Sequence, residues 1–259
     1  NNRITFNMIE VQNLSKSFKE NLVLDDISVK LERGKTNLII GESGSGKTTF
    51  LKCLIGLHSI DNGEILFDNR EFSKMNDKNI RKFRQEIGVL FQGGALYDYL
   101  SVEENIMFPL NMFTKFNLKE KKERVNFCLS KVNLEKTNNL FPSELSGGMT
   151  KRVAIARAIA LNPKYLFCDE PNSGLDPKTA ILIDNLILEI TEEFNITTIV
   201  NTHDMNSVIQ IGSNILFIHK GKILWKGNKN DLTKSKNNEL NNFVFASKLF
   251  KTLRNENFT

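Results

Sequence analysis

Residues 36–57 read TNLIIGESGSGKTTFLKCLIGL, and their order of patterns decides how the chain folds. A short apolar run rich in β-branched residues ends at Gly41, and a helical pattern begins at Lys47. The span between them has the spacing G-x-x-x-x-G-K-T, Gly41, Glu42, Ser43, Gly44, Ser45, Gly46, Lys47, Thr48, with Thr49 following. Glycines at 41, 44 and 46 let the backbone turn inward, so that successive N–H groups face one anion. The helix that opens at Lys47 aims its positive end at the same point. Lys47 adds a point charge for the outer phosphates, and the Thr48 hydroxyl is a ligand for Mg²⁺. The stretch predicts a strand, a phosphate-binding loop and a helix, holding a nucleoside triphosphate.

Two later segments repeat the strand-then-polar layout. In KYLFCDEPNSGLDP, residues 164–177, four apolar residues from Tyr165 to Cys168 suit a strand buried on both faces of a parallel sheet. Asp169 and Glu170 follow at its C-terminal end, where open α/β sheets bind ligands. Alternation along a strand sends neighbouring carboxylates to opposite sides. Asp169 is then free to hold Mg²⁺ through water, and Glu170 to polarise the attacking water. In NITTIVNTHD, residues 195–204, a β-branched strand over 196–200 precedes His203, which is expected to meet a γ-phosphate. The helical pattern DPKTAILIDNLILEITEEF between these strands supplies a crossover.

Composition bounds the alternatives. The 259 residues, 40% apolar and 25% charged, are those of an ordinary folded protein of one large or two small domains. No run approaches the roughly 18 apolar residues of a membrane span, and the start lacks a secretory pattern. Cys53, Cys128 and Cys168 form no CxxC pair and are expected as buried, reduced thiols. The net charge of +5 follows from heavy lysine use, so no nucleic-acid partner is expected.

PSELSGGMTKRVAIARAIALNP, residues 142–163, resembles the signature segment of the ATP-binding cassette ATPases, usually written LSGGQ and followed by a basic, alanine-rich helix. The other family motifs stand in order around it, from about Met8 to Trp225. The resemblance implies an α/β P-loop NTPase fold of RecA-like type. Its mostly parallel sheet is joined by an antiparallel β subdomain and an inserted α-helical subdomain. It implies that Phe18 stacks on adenine, that Gln92 meets Mg²⁺ and the attacking water, and that Asp169 and Glu170 are the Walker B pair. Asp176 takes the place of the D-loop aspartate and His203 that of the switch histidine. Ser146, Gly147, Gly148 and Met149 are the signature, which in the family caps nucleotide on the other protomer. ATP and Mg²⁺ are the implied cofactors, a homodimer the implied assembly, and Glu170, His203 and Gln92 the implied catalytic set, with Thr48, Gln92 and Asp169 on the metal.

Met149 replaces the usual signature glutamine, and Asn172 the common threonine or serine. LSGGM, FQGGALYDYLSVEENIMFPL (residues 91–110) and THDMNSV together resemble the ATPases of Mla/Mce-type transporters, which move phospholipids or sterols between bacterial membranes. Phe91, Gln92, Gly94, Ala95, Leu96, Asn105, Pro109 and Leu110 match, with Tyr97 in place of a phenylalanine. That likeness implies an integral membrane permease docking near residues 93–110, an MCE-type lipid-binding protein in the complex, and a place on the cytoplasmic face of the inner membrane. Another cassette importer or exporter, for amino acids or lipoproteins, or a non-transport cassette acting on DNA or ribosomes, is the alternative. One ATP-binding domain is expected over 8–235, with core 8–91 and 164–235 and helical part 92–163. ILFIHKGKILWKG reads as a hairpin turning at Lys220-Gly221, with Trp225 half-buried. A helical tail is expected over 236–259, with Phe243, Ala246, Phe250 and Leu253 near one face. Residues 1–7, NNRITFN, are set aside as an upstream extension.

Overall fold

The computed structural model describes residues 8–232 and 234–245. The seven residues before Met8 lie outside that range, as do Ala246, Phe250 and Leu253 of the expected tail helix. Two compact units emerge. The first takes the chain up to Glu32, Thr36–Lys74 and everything described from Asn201 onward; the second takes Arg33–Lys35 and Met75–Val200.

In the first unit, β1 (Met8–Phe18) and β2 (Asn21–Glu32) form a long antiparallel ribbon. Ile9, Val11 and Leu14 from β1 and Leu24, Ile27, Val29 and Leu31 from β2 are buried, the alternation stepping by three where the register shifts after Val11. After β3 (Thr36–Ile40) and α1 (Lys47–Leu54), β4 (Asn62–Phe67) and β5 (Arg70–Glu71) complete a sheet of order β2-β1-β4-β5. Every residue of β3 is buried, and Leu38, Ile39 and Ile40 accordingly run apolar without alternating.

The second unit begins with α2 (Asp77–Phe83) and β6 (Ile87–Leu90), then enters a helical stretch of α3 (Val102–Phe113), α4 (Leu118–Lys131) and α5 (Gly147–Ala158). Capping boxes start two of them: Ser101 with Glu104 for α3, and Asn117 with Glu120 for α4. The chain returns through β7 (Tyr165–Asp169), α6 (Pro177–Glu193) and β8 (Thr197–Asn201), giving the order β8-β7-β6 with β6 and β7 parallel. Close packing of α5 on β6 requires Gly88, where a Cβ would lie 2.5 Å from the Ala158 carbonyl oxygen.

Back in the first unit, α7 (Met205–Ile211) leads to β9 (Asn214–His219), which pairs in parallel with β3, and to β10 (Lys222–Gly227), which pairs antiparallel with β9. The hairpin turns at Lys220 and Gly221, both at positive φ, and Trp225 is half-buried on β10. Two short helices follow, α8 (Lys229–Leu232) and α9 (Asn238–Val244), and the Phe243 ring stacks 5.5 Å from that of Phe217. Among the described residues no helix is long and apolar enough to cross a membrane. The three cysteines are buried and unpaired by disulfides. Burial pushes the thiols of Cys53 and Cys128 up to about 11 and that of Cys168 higher still.

Candidate active site

The loop from Gly41 to Gly46 leaves β3 and turns on itself, with Ser45 donating its N–H to the Glu42 carbonyl at 3.2 Å. Only glycine fits its first position: φ is 152° and a Cβ on Gly41 would fall 2.2 Å from the Ile218 carbonyl oxygen. Lys47 is buried at the head of α1, and its ammonium donates to the carbonyls of Gly41 at 2.8 Å and Glu42 at 2.9 Å. Glu42, Ser43, Gly44 and Thr48 are exposed around it, and Thr49 is half-buried.

Ser45 is the telling residue. Its hydroxyl oxygen is buried in the cradle with no hydrogen-bond partner, although the residue is only 6% exposed. A buried hydroxyl without a partner is costly, and a phosphate oxygen satisfies it. Hydroxyl, backbone N–H, ammonium and helix terminus together fit the triphosphate of ATP. At the head of α1, Thr48 offers a hydroxyl oxygen of the hard kind that Mg²⁺ prefers.

His203 belongs to the same unit as this loop. Thr202 donates its N–H to the Ile39 carbonyl at 3.1 Å, which sets the exposed His203 beside the end of β3. Asp204 then caps α7 by accepting from the Asn206 N–H. At the end of β1, Phe18 is 41% exposed. The His58 ring meets it edge-on at 5.1 Å, and the Lys16 ammonium stands 5.4 Å from its centroid. Lys16 is held by Asp61 at 2.7 Å, and Asp61 also accepts the Ser17 N–H at 2.6 Å. The hydrogen bond from Lys16, then that from Ser17, holds the Asp61 carboxyl below its ordinary range.

In the second unit Asp169 is the last, buried residue of β7, and Glu170 stands one step beyond it with φ 51°. Glu170 is thus no longer in the strand, so a left-handed step rather than strand alternation sets its backbone. Such a φ on a residue bearing a Cβ costs about 1–3 kcal/mol and persists where surrounding structure enforces it. The turn is closed by Ser173 donating its N–H to the Glu170 carbonyl at 3.1 Å. Gln92, exposed after β6, donates through Nε2 to the Ser173 hydroxyl at 3.1 Å, which brings the glutamine loop to the turn that carries Glu170.

Asn172, the departure from the family pattern, donates to the carboxylate of buried Asp184 at 2.8 Å, tying the turn to α6. Asp176 caps α6 by accepting from Thr179, whose hydroxyl and N–H hold its carboxyl below the ordinary range. Ser146 caps α5 and accepts the Met149 N–H at 3.2 Å, so the signature opens a helix as its sequence implied. A Cβ at Gly148 would meet Thr179 Cγ2 at 2.6 Å, so α5 passes close to α6 here.

Reading the sequence missed Ser173, Asp184, Lys151 and Arg157. The last two were noted only as basic residues of a helix. The signal was present: both sit among Val153, Ala154, Ile155 and Ala156, which are fully buried, so their charges had to find partners inside.

The ABC transporter family profile matches residues 24–173. The chain is 38% identical over 256 residues to the methionine import ATP-binding protein MetN of Campylobacter jejuni, covering 93% of this chain and 76% of that one. It is 37% identical over 229 residues to the intermembrane phospholipid transport system ATP-binding protein MlaF of Haemophilus influenzae, covering 88% and 87%. Its fold is similar to the dimeric, post-hydrolysis ATP-binding cassette MJ0796 bound to ADP and Pi, with TM-score 0.78 and 32% identity over 85% of this chain and 98% of that one.

Proposed function

This chain belongs to the ABC transporter family, as an ATP-binding subunit that hydrolyses ATP with Mg²⁺, and on that premise we propose that it powers transport of phospholipid or a related lipid between bacterial membranes. The observation that carries the lipid reading is the segment 91–110. It follows Gln92 with Tyr99, 75% exposed, and leads along α3 to Met112, just beyond the segment and 53% exposed. That segment, together with Met149 of the signature and THDMNSV, matches the pattern of lipid-transport ATPases, and the likeness to MlaF supports it. A permease helix docks there, an MCE-type protein completes the complex, and the chain sits on the cytoplasmic face of the membrane.

The chemistry assigns one task to each residue. The amides of 41–46, the Ser45 hydroxyl and Lys47 hold the phosphates, while Phe18 stacks on adenine. Thr48, Gln92 and Asp169 hold Mg²⁺, which when bound neutralises and polarises the phosphate oxygens. Glu170 takes the proton of the attacking water, and His203 donates to the γ-phosphate. Ser146, Gly147, Gly148 and Met149 cap the nucleotide of a second copy, so that ATP joins a homodimer and hydrolysis releases it. Residues 8–235 act as one cassette in which the helical part 92–163 carries the signature and the docking loop.

A second reading, methionine import, rests on the likeness to MetN. Purification of the tagged chain from detergent-solubilised membranes separates the two. Recovery with a permease and co-purifying phospholipid supports lipid transport. Recovery with a methionine permease replaces it, and recovery with ribosomes or DNA and no membrane protein removes both.

A further inference from the structure

The loop that follows β6 makes few backbone bonds of its own. Gly94 donates to the Phe91 carbonyl at 2.8 Å and Leu100 to that of Tyr97 at 3.1 Å. Side chains from two helices take several more of its carbonyls. Asn105 of α3, fully buried, accepts the Tyr97 N–H at 2.9 Å and donates to the carbonyls of Tyr97 at 3.1 Å and Leu100 at 3.0 Å. From α5, Arg157 donates through Nη1 to the Ala95 carbonyl and through Nη2 to that of Gly94, both at 2.8 Å. One turn and a half nearer the head of the same helix, the Lys151 ammonium donates to the carbonyl of Gln92 itself.

Lys151 is only 5% exposed. Burying an ammonium costs several kcal/mol, and a hydrophobic residue of the same length would avoid that cost. Burial lowers the affinity of Lys151 for its proton, opposed by the charges of Cys168 and then Glu170. The ammonium grips the backbone carbonyl of Gln92 just past β6, and the side chain of that same Gln92 reaches Ser173, whose N–H closes the turn at Glu170. The helix carrying it begins at Ser146, the signature serine.

We propose that Lys151 is a positioning residue for ATP hydrolysis: from α5 it fixes the backbone at Gln92 relative to Glu170, so that the signature helix and the glutamine loop move as one body. The proposal rests on the roles given above to Gln92 and Glu170. Gln92 reaches its working place only if the chain beneath it is held, and a displacement of about 1 Å in a positioning group can cost a hundredfold in rate. A lysine suits this role because its single charge on a flexible stem can follow the carbonyl through a change of nucleotide state.

The test uses the full chain with Lys151→Met and Lys151→Arg, and reads hydrogen exchange of amides 92–101 without nucleotide beside kcat and KM for ATP with Mg²⁺. Lys151→Met is expected to speed exchange in that loop by about tenfold while exchange in β3, β7 and β9 stays as in the parent. It is expected to lower kcat by about tenfold with KM within about threefold, and Lys151→Arg to restore at least half of both effects. Parent-like exchange and turnover in Lys151→Met would overturn the proposal. So would a general loss of protection and of melting temperature that Arg does not rescue, since that marks a purely structural lysine. If the Met variant does not fold, Lys151→Gln is read by the same criteria. Glu170→Gln run alongside separates the two layers: near-parent turnover there removes the site reading, whereas a dead Glu170→Gln beside an unaffected Lys151→Met removes this proposal alone.

Discussion

Gly221 donates its N–H to the carbonyl of Ser45 at 3.0 Å, so the β9–β10 turn supports the phosphate-binding loop from behind. The Gly221 carbonyl in turn accepts the Asp25 N–H at 2.9 Å, which links that turn to β2. The hairpin, unremarkable as sequence, thus holds the cradle through backbone bonds alone.

Gly221→Ala tests this support. Its φ is +78° and an added Cβ would stand 2.5 Å from the Val23 carbonyl oxygen, a backbone atom that cannot swing aside. The variant is expected to lose about 1–3 kcal/mol of stability and, because the turn must shift away from Ser45, to bind ATP about tenfold more weakly. Denaturant unfolding and nucleotide titration check it. Lost stability with unchanged affinity would mean the turn does not shape the loop.

Ser45→Ala is expected to separate stability from function. The buried hydroxyl has no partner, so removing it spares a desolvation penalty of about 1–3 kcal/mol. The nucleotide-free variant should melt at the same temperature or higher. Loss of a hydrogen bond to a charged phosphate should weaken ATP binding by about tenfold or more. Calorimetry of both forms reads the two effects, and a lower melting point with parent affinity would contradict the assignment.

How far the sequence revealed these features depends on their range. The cradle was legible because its requirements are local: glycines at fixed steps, then a lysine and a threonine at a helix start. β7 was legible because a strand buried on both faces must be apolar throughout. The turn after β7 was legible only in part. The carboxylates were found, but Glu170 lies past the strand in left-handed backbone, and tertiary packing imposes that. Lys151, Arg157 and Asp184 were not legible as contacts, since the carbonyl or amide each one meets is brought near by helix packing across many residues.

Glu170→Gln is expected to keep ATP affinity within about threefold while turnover falls at least about a hundredfold, the usual loss when a general base is removed. The amide retains the shape of the carboxylate and the strained φ of 51° is unaffected by the exchange, so the fold should not change. Single-turnover hydrolysis and equilibrium binding measure the two quantities. Turnover near that of the parent would show that another group takes the proton.

Asp61 gives a pH signature to the platform around Phe18. Its carboxyl is held below the ordinary carboxylate range in the fold, first by the Lys16 ammonium and then by the Ser17 N–H. A lowered folded pKa stabilises the fold fully above the unfolded value, near 4, and the contribution fades as pH falls through the lower folded value. Asp61→Asn should therefore melt below the parent at pH 7, with the gap closing as pH is brought below about 3. Lys16 loses its anchor in that variant, and Lys16 stands over the Phe18 ring at 5.4 Å. ATP affinity should then fall while affinity for inorganic tripolyphosphate, which has no base to stack, stays unchanged. Equal losses for the two ligands would place the effect on the phosphate loop instead of the ring.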